Sequence, residues 1–162
     1  MGVTGSGKST VGVLLAGRLG VPYADADSFH GAANIAKMAS GTPLTDEDRW
    51  PWLEAIGLWL AAHGSSGCVA TCSVLKRRYR DALRDHAPDA LFLFLDGPPE
   101  VVASRVAARS DHFMPVSLVE SQFADLERPE IDERAVTVDL SKPPDRIVSE
   151  FLARIDDHPH LA

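Results

Sequence analysis

Gly2-Val3-Thr4-Gly5-Ser6-Gly7-Lys8-Ser9 fits the pattern G-x-x-x-x-G-K-[ST] at every fixed position. Glycines let the backbone turn tightly and aim its N–H groups at phosphate oxygens. A helix beginning at Lys8–Ser9 turns its positive end toward the same place. Gly2, Thr4, Gly5, Ser6, Gly7, Lys8, Ser9 and Thr10 are therefore the nucleotide-binding candidates. Lys8 would reach the β- and γ-phosphates of a nucleotide, and the Ser9 hydroxyl would ligate Mg²⁺. The plainer alternative is a chance glycine-serine turn before a helix. The long amphipathic stretch that follows directly weighs against it.

A second chemical signal is Asp25-Ala26-Asp27 at the end of the short apolar run Val21–Asp25. Ligands of α/β sheets collect at the carboxyl ends of strands, and residues i and i+2 of an extended segment point the same way. Asp25 could hold the hydration shell of Mg²⁺, while Asp27 could take the proton of an attacking hydroxyl. Alternatively, the two carboxylates cap the next helix or turn.

Alternating strands and helices must position these groups. Val21–Asp25, Cys68–Cys72, Leu91–Leu95 and Val136–Leu140 read as short strands. Between them lie helical patterns: Val11–Leu19, Asp46–His63 with Thr45 as a cap, a stripe through Leu75, Tyr79, Ala82, Leu83 and His86, Pro98–Ala108, and a last apolar face from Ile147 to Ile155. This alternation predicts a parallel sheet covered on both sides. The polar stretch Ser110–Pro129 fits neither pattern and is expected to be a mobile lid, about 109–129.

The chain has 162 residues with 23 Asp+Glu against 16 Lys+Arg, a net charge of -7, and no linker or repeat, so 1–162 is expected to be a single domain. The acidic balance argues against a general nucleic-acid or anionic-membrane binder. No run approaches the roughly 18 apolar residues of a membrane span. Cys68 and Cys72, four apart on one strand, would lie about 13 Å from each other, too far to bridge. A reducing cytoplasm is the simplest setting. A phosphate loop normally connects a buried strand to its helix, and here only Met1 stands before it. The first strand of the sheet is expected to be missing, and restoring about 8–10 upstream residues, enough for one strand, to improve solubility and activity.

Larger blocks carry a resemblance. Asp25-Ala26-Asp27-Ser28-Phe29-His30, Asn34, Lys37-Met38-Ala39-Ser40-Gly41-Thr42-Pro43-Leu44, Asp46-Glu47-Asp48-Arg49-Trp50-Pro51-Trp52-Leu53, Cys72-Ser73-Val74-Leu75-Lys76-Arg77-Arg78-Tyr79-Arg80-Asp81 and the stretches 105–113 and 118–127 together resemble the small P-loop gluconokinases, which are related in fold to shikimate and adenylate kinases. Gly31 and Val74 depart mildly from the family pattern.

The resemblance implies a three-layer α/β/α P-loop fold with strand order 2-3-1-4-5 and a lid. The implied reaction is transfer of the γ-phosphoryl of ATP, with Mg²⁺, to the terminal hydroxyl of D-gluconate by a cytoplasmic homodimer. Gluconate needs a cation for its carboxylate and hydrogen-bonding groups for its hydroxyls. Asp27 as base, with His30, Arg49, Ser73, Lys76, Arg77 and Arg80, are the substrate candidates. Arg77, Arg80 and Arg84 share a helix face, which could equally be a solvated basic surface. Arg105 and Arg109, one helical turn apart, with His112 beyond, could neutralise charge on the moving phosphoryl group, or simply lie on a surface. Related kinases hold adenine near the equivalent of Ser141-Lys142-Pro143-Pro144. The rival readings are a shikimate-type or other small-molecule P-loop kinase and an inactive truncated nucleotide-binding protein. A GTPase is disfavoured because no Asn-Lys-x-Asp guanine signature occurs.

Overall fold

Seven helices and four strands alternate along the part of the chain described by the computed structural model, residues 1–108 and 116–157. The order is α1 (Lys8–Leu19), β1 (Tyr23–Asp25), a short 3-10 turn (Ala26–Phe29), α2 (Ala32–Ala39), α3 (Asp46–His63), β2 (Val69–Thr71), α4 (Arg77–His86), β3 (Phe92–Asp96), α5 (Pro99–Ala107), α6 (Val116–Asp125), β4 (Ala135–Asp139) and α7 (Pro144–Asp157). β1 pairs in parallel with β2, with Asp25 opposite Thr71. β3 pairs in parallel with β4, with Asp96 opposite Asp139.

Met1 and Gly2 join the two half-sheets. The Met1 nitrogen donates to Leu93 O, and Leu95 N donates to Met1 O at 3.0 Å, the bonding pattern of a parallel bridge to β3. On the other side Gly2 N donates to Ser73 O, just beyond β2. The lateral order is thus β1-β2, Met1–Gly2, β3-β4. This is the expected 2-3-1-4-5 arrangement with its central position held by two residues. Below them lies an apolar cavity of about 650 Å³, walled by Val11, Leu15, Val69, Leu91, Leu93 and Phe151 among others.

Helices cover both faces. One core joins Val11 and Leu15 of α1, Val102 and Val106 of α5, and Ile147, Val148 and Phe151 of α7 to Val136 and Val138. The other joins Trp52, Leu53 and Ile56 of α3 and Tyr79 and Leu83 of α4 to Phe92. Alternation along β3 sends Phe92 to the second core and Leu95 to the first. Gly12 sets how closely α1 lies on the sheet: a Cβ there would come within 2.3 Å of Thr71 Cγ2 and 2.9 Å of Tyr23 Cε2.

Most element ends follow local chemistry. α1 begins after Gly7 (φ 97) and closes at Gly20 (φ 67), whose N–H bonds Ala16 O. α3 opens with a reciprocal capping box between Thr45 and Asp48, as its sequence suggests. Two helices depart from the sequence reading. α2 was not anticipated because it buries only Asn34, leaving no apolar stripe to see. α6 lies inside the supposedly irregular lid and packs through Val119, with Phe123 against the same core. Arg109 and His112 lie outside the described residues. Cys68 and Cys72 are both free thiols, as their spacing requires.

Candidate active site

The phosphate loop sits at the carboxyl edge of the half-sheets, pinned by contacts that leave no room for a side chain at Gly5. Gly5 has φ 76, and a Cβ there would stand 2.5 Å from Val106 Cγ2. Ser6 N closes a turn onto Val3 O at 3.2 Å. Lys8 curls back, its Nζ donating to Val3 O at 3.0 Å. From α6, the Gln122 side-chain oxygen accepts from Thr4 N at 2.7 Å. Sequence reasoning placed Gln122 in the lid without this contact, which depends on α6 folding back over the loop.

Arg105 leaves α5 and reaches the same place. Its Nη2 donates to Leu140 O at 2.8 Å and its Nη1 to Ser6 O at 3.5 Å. It therefore bridges the phosphate loop and the segment after β4. Between them opens a cleft of about 350 Å³ walled by Gly7, Thr10, Arg105, Lys142 and Pro144. This cleft is the place suited to a nucleotide's base and sugar, beside the loop suited to its phosphates.

Asp25 and Asp27 divide the roles weighed for them. The Ser9 hydroxyl donates to Asp25 Oδ2 at 3.0 Å, and the Tyr23 hydroxyl lies 3.4 Å from the same oxygen. Oδ1 of Asp25 accepts from Asp27 N at 3.1 Å, capping the 3-10 turn. Asp25 is thus both cap and partner of Ser9. A serine hydroxyl beside one carboxylate suits Mg²⁺, a hard cation that keeps several waters and takes only one or two protein carboxylates. Asp27 is exposed, and among the described residues no side-chain hydrogen bond ties its carboxylate down.

Around Asp27 stand the acceptor-side candidates. His30 stacks on Trp52 with ring centroids 4.5 Å apart and nearly parallel planes, and Trp52 Nε1 donates to Ala26 O at 2.7 Å. Burial, opposed by the charge of Asp27 and helped by that of Arg49, holds the His30 pKa below its usual 6.5. The imidazole is therefore neutral at pH 7. Arg49 donates to Leu44 O at 3.2 Å and lies 5.6 Å from the Tyr79 ring, while its buried Nε has no hydrogen-bond partner among the described residues. Lys37 and Asp48, bonded at 2.6 Å, brace α2 against the start of α3.

The basic face of α4 does not open onto this site. Arg77 is held by Asp132 at 2.6 Å and Glu130 at 2.9 Å, and Lys76 by Asp125 at 3.1 Å. Arg80 corrects the sequence reading. It is fully buried, forked onto Glu133 at 2.5 and 2.7 Å, and its Nη1 donates to the carbonyls of Val74, Leu75 and Glu127. A guanidinium so enclosed cannot touch a dissolved substrate. Helical spacing grouped the arginines correctly, but the acidic run Glu127–Glu133 turns that face inward. That run was the available signal. Burial would raise the Glu133 pKa, yet the bonds from Arg80 and the Glu130 N–H hold it below its usual value. Beside Arg80, Val74 has φ 32, a left-handed conformation unusual for a β-branched residue and worth about 1–3 kcal/mol of strain.

Fold, phosphate loop and cleft define a P-loop kinase of small molecules. The shikimate kinase family model matches residues 4–156. The shikimate kinase of Aquifex aeolicus shares the fold at a TM-score of 0.59 and 19% identity, over 100% of this chain and 97% of that one. Closer similarity lies elsewhere. A thermosensitive gluconokinase of Escherichia coli (strain K12) is 46% identical over 145 residues, 87% of this chain and 77% of its own. A gluconokinase of Gluconobacter oxydans (strain 621H) is 44% identical over 154 residues, 94% and 86% of the two chains. The crystal structure of a gluconokinase from Sinorhizobium meliloti 1021 superposes with a TM-score of 0.86 at 49% identity, covering 94% of this chain and 87% of that one. The chain belongs to the gluconokinase branch of the shikimate kinase family.

Proposed function

We propose that the chain transfers the γ-phosphoryl group of ATP to the terminal hydroxyl of D-gluconate, giving 6-phosphogluconate. The observation that carries this reading is the Ser9–Asp25 contact beside the phosphate loop, with the exposed carboxylate of Asp27 two residues further on. The loop N–H groups and the start of α1 would hold the nucleotide's phosphates, and Lys8 would exchange its Val3 carbonyl for phosphate oxygens. Ser9 and Asp25 would hold Mg²⁺, which neutralises phosphate charge. Asp27 accepts the proton of the acceptor hydroxyl, a role suited to an exposed carboxylate. Arg105 stabilises charge on the phosphates, and Arg109 shares that role in this reading.

On the acceptor side, Arg49 pairs with the gluconate carboxylate and neutral His30 with a hydroxyl. Ser73 adds a hydroxyl at the end of β2. The same reading takes a cytoplasmic homodimer as the working form. The test is ADP release with ATP, Mg²⁺ and a panel of gluconate, other sugar acids and shikimate. Turnover with gluconate well above shikimate is expected. Intact ATP binding with no gluconate turnover would overturn the assignment.

A further inference from the structure

Arg80 is buried where three segments meet: the loop after β2, the stem of α6 and the approach to β4. Its Nη1 donates to Val74 O and Leu75 O at 3.2 Å, holding the backbone that follows Ser73. The same nitrogen donates to Glu127 O at 2.9 Å, directly after α6. Nε and Nη2 fork onto Glu133 ahead of β4. Two further bonds close the junction: Glu127 N donates to Leu75 O at 2.9 Å, and Arg77 N donates to the Glu127 carboxylate at 2.6 Å. Just beyond it, α6 reaches the phosphate loop through Gln122 and Thr4 N, and Arg128 forks onto Asp96 at 3.1 and 3.2 Å.

We infer that Arg80 is a positioning residue. It holds the strained Val74 backbone and so fixes Ser73 just beyond β2, and it locks that loop to the stem of α6. The argument rests on what a buried ion pair does and does not achieve. Replacing such a pair with apolar residues of similar volume is often neutral for stability, so stability alone is a weak reason to bury one here. The forked, planar guanidinium does what an apolar residue cannot: it satisfies three carbonyls and a carboxylate in one fixed geometry. One of those carbonyls belongs to Val74, whose φ of 32 has to be held by its surroundings. The acceptor loop and the α6 stem are then set by one side chain.

This inference rests on the gluconate reading for its kinetic arm only. The test compares the unaltered chain with Arg80→Met/Glu133→Leu and with Glu127→Ala, whose side chain is exposed. Expected is a rise of at least tenfold in KM for gluconate in the double variant and a smaller rise in Glu127→Ala, with KM for ATP within twofold. Hydrogen exchange supplies an arm independent of activity. The amides of Arg77 and Glu127 should exchange at least tenfold faster in the double variant, while that of Leu83, further along α4, is unchanged. Uniform acceleration of all amides, or unaltered exchange at Arg77 and Glu127, would overturn the inference. So would equal changes in both KM values. If the double variant does not fold, Arg80→Lys, which keeps the charge but loses the planar fork, is read in its place by the gluconate KM and the Glu127 amide exchange. Absence of gluconate turnover in the unaltered chain would count against the functional reading and leave the exchange arm to judge Arg80.

Discussion

The Ser9 hydroxyl donates to Oδ2 of Asp25 at 3.0 Å, so the first turn of α1 and the end of β1 meet at one point. The two residues are 16 apart in sequence and come from the two motifs that each suggested phosphate chemistry. Loosening either should weaken metal use before it weakens nucleotide binding. In Ser9→Ala and Asp25→Asn, the Mg²⁺ needed for half-maximal activity should rise at least several-fold, read by Mg²⁺ titration at saturating ATP. An unchanged titration in both would remove this pair from the metal site.

Asp27 is the proposed base because its carboxylate is exposed and untethered while that of Asp25 is committed. Asp27→Asn should lower kcat by about 10²–10⁴-fold, the usual weight of general-base help, with ATP affinity within twofold by calorimetry. Retention of most of the turnover would exclude the role.

Gly5 is a steric prediction. A methyl group there meets Val106 at 2.5 Å from a backbone with φ 76. Gly5→Ala should lower stability by about 1–3 kcal/mol in urea unfolding and weaken ATP binding as the loop shifts. Adding Val106→Ala should recover part of the stability by relieving the clash, leaving the dihedral strain.

Acid sensitivity should have two stages. His30 has a folded pKa below 6.5, so the unfolded chain binds the proton more readily and stability falls as pH drops below 6.5. Asp48, held down first by its bond from Lys37 and then by the Thr45 N–H, and Asp132, held down by Arg77, follow the same sign from 3.8. Glu133 does so from 4.5. Their contribution is complete above those values and disappears as pH falls through the lower folded ones. Thermal melts should show a shallow decline in Tm below pH 6.5 and a steep one below about 4.5. His30→Gln should remove the first stage alone.

The cavity between β2 and β3 tests the sheet. An apolar strand of about five residues fused ahead of Met1 would continue the bridge that Met1 makes with β3 and fill part of the 650 Å³. Each buried aliphatic side chain is worth roughly 1.5–3 kcal/mol. For a domain of this size 1 kcal/mol moves Tm by about 2–4 °C, so the extended chain should melt at least about 5 °C higher. A polar extension of equal length should not.

Much of this was legible in the amino-acid sequence because it is written locally. The glycine spacing of the phosphate loop, the Thr45–Asp48 box and the apolar runs of the four strands need only near neighbours to be read, and the structure returns them within a residue or two. Asp25 and Asp27 were recognisable as a pair, but their division of labour was not. It depends on which carboxylate meets Ser9 across the sheet edge. The basic face of α4 shows the limit most clearly. Helical spacing placed Arg77 and Arg80 together, yet sequence could not say that an acidic segment some 50 residues later would enclose them. α2 was missed because its one buried residue is a polar asparagine answering Asp48 O, a partner outside the helix. Local chemistry decided where elements begin and end and which groups can bind phosphate. Tertiary packing decided which charges remain available to a ligand, because burial and pairing are set by segments distant in the chain.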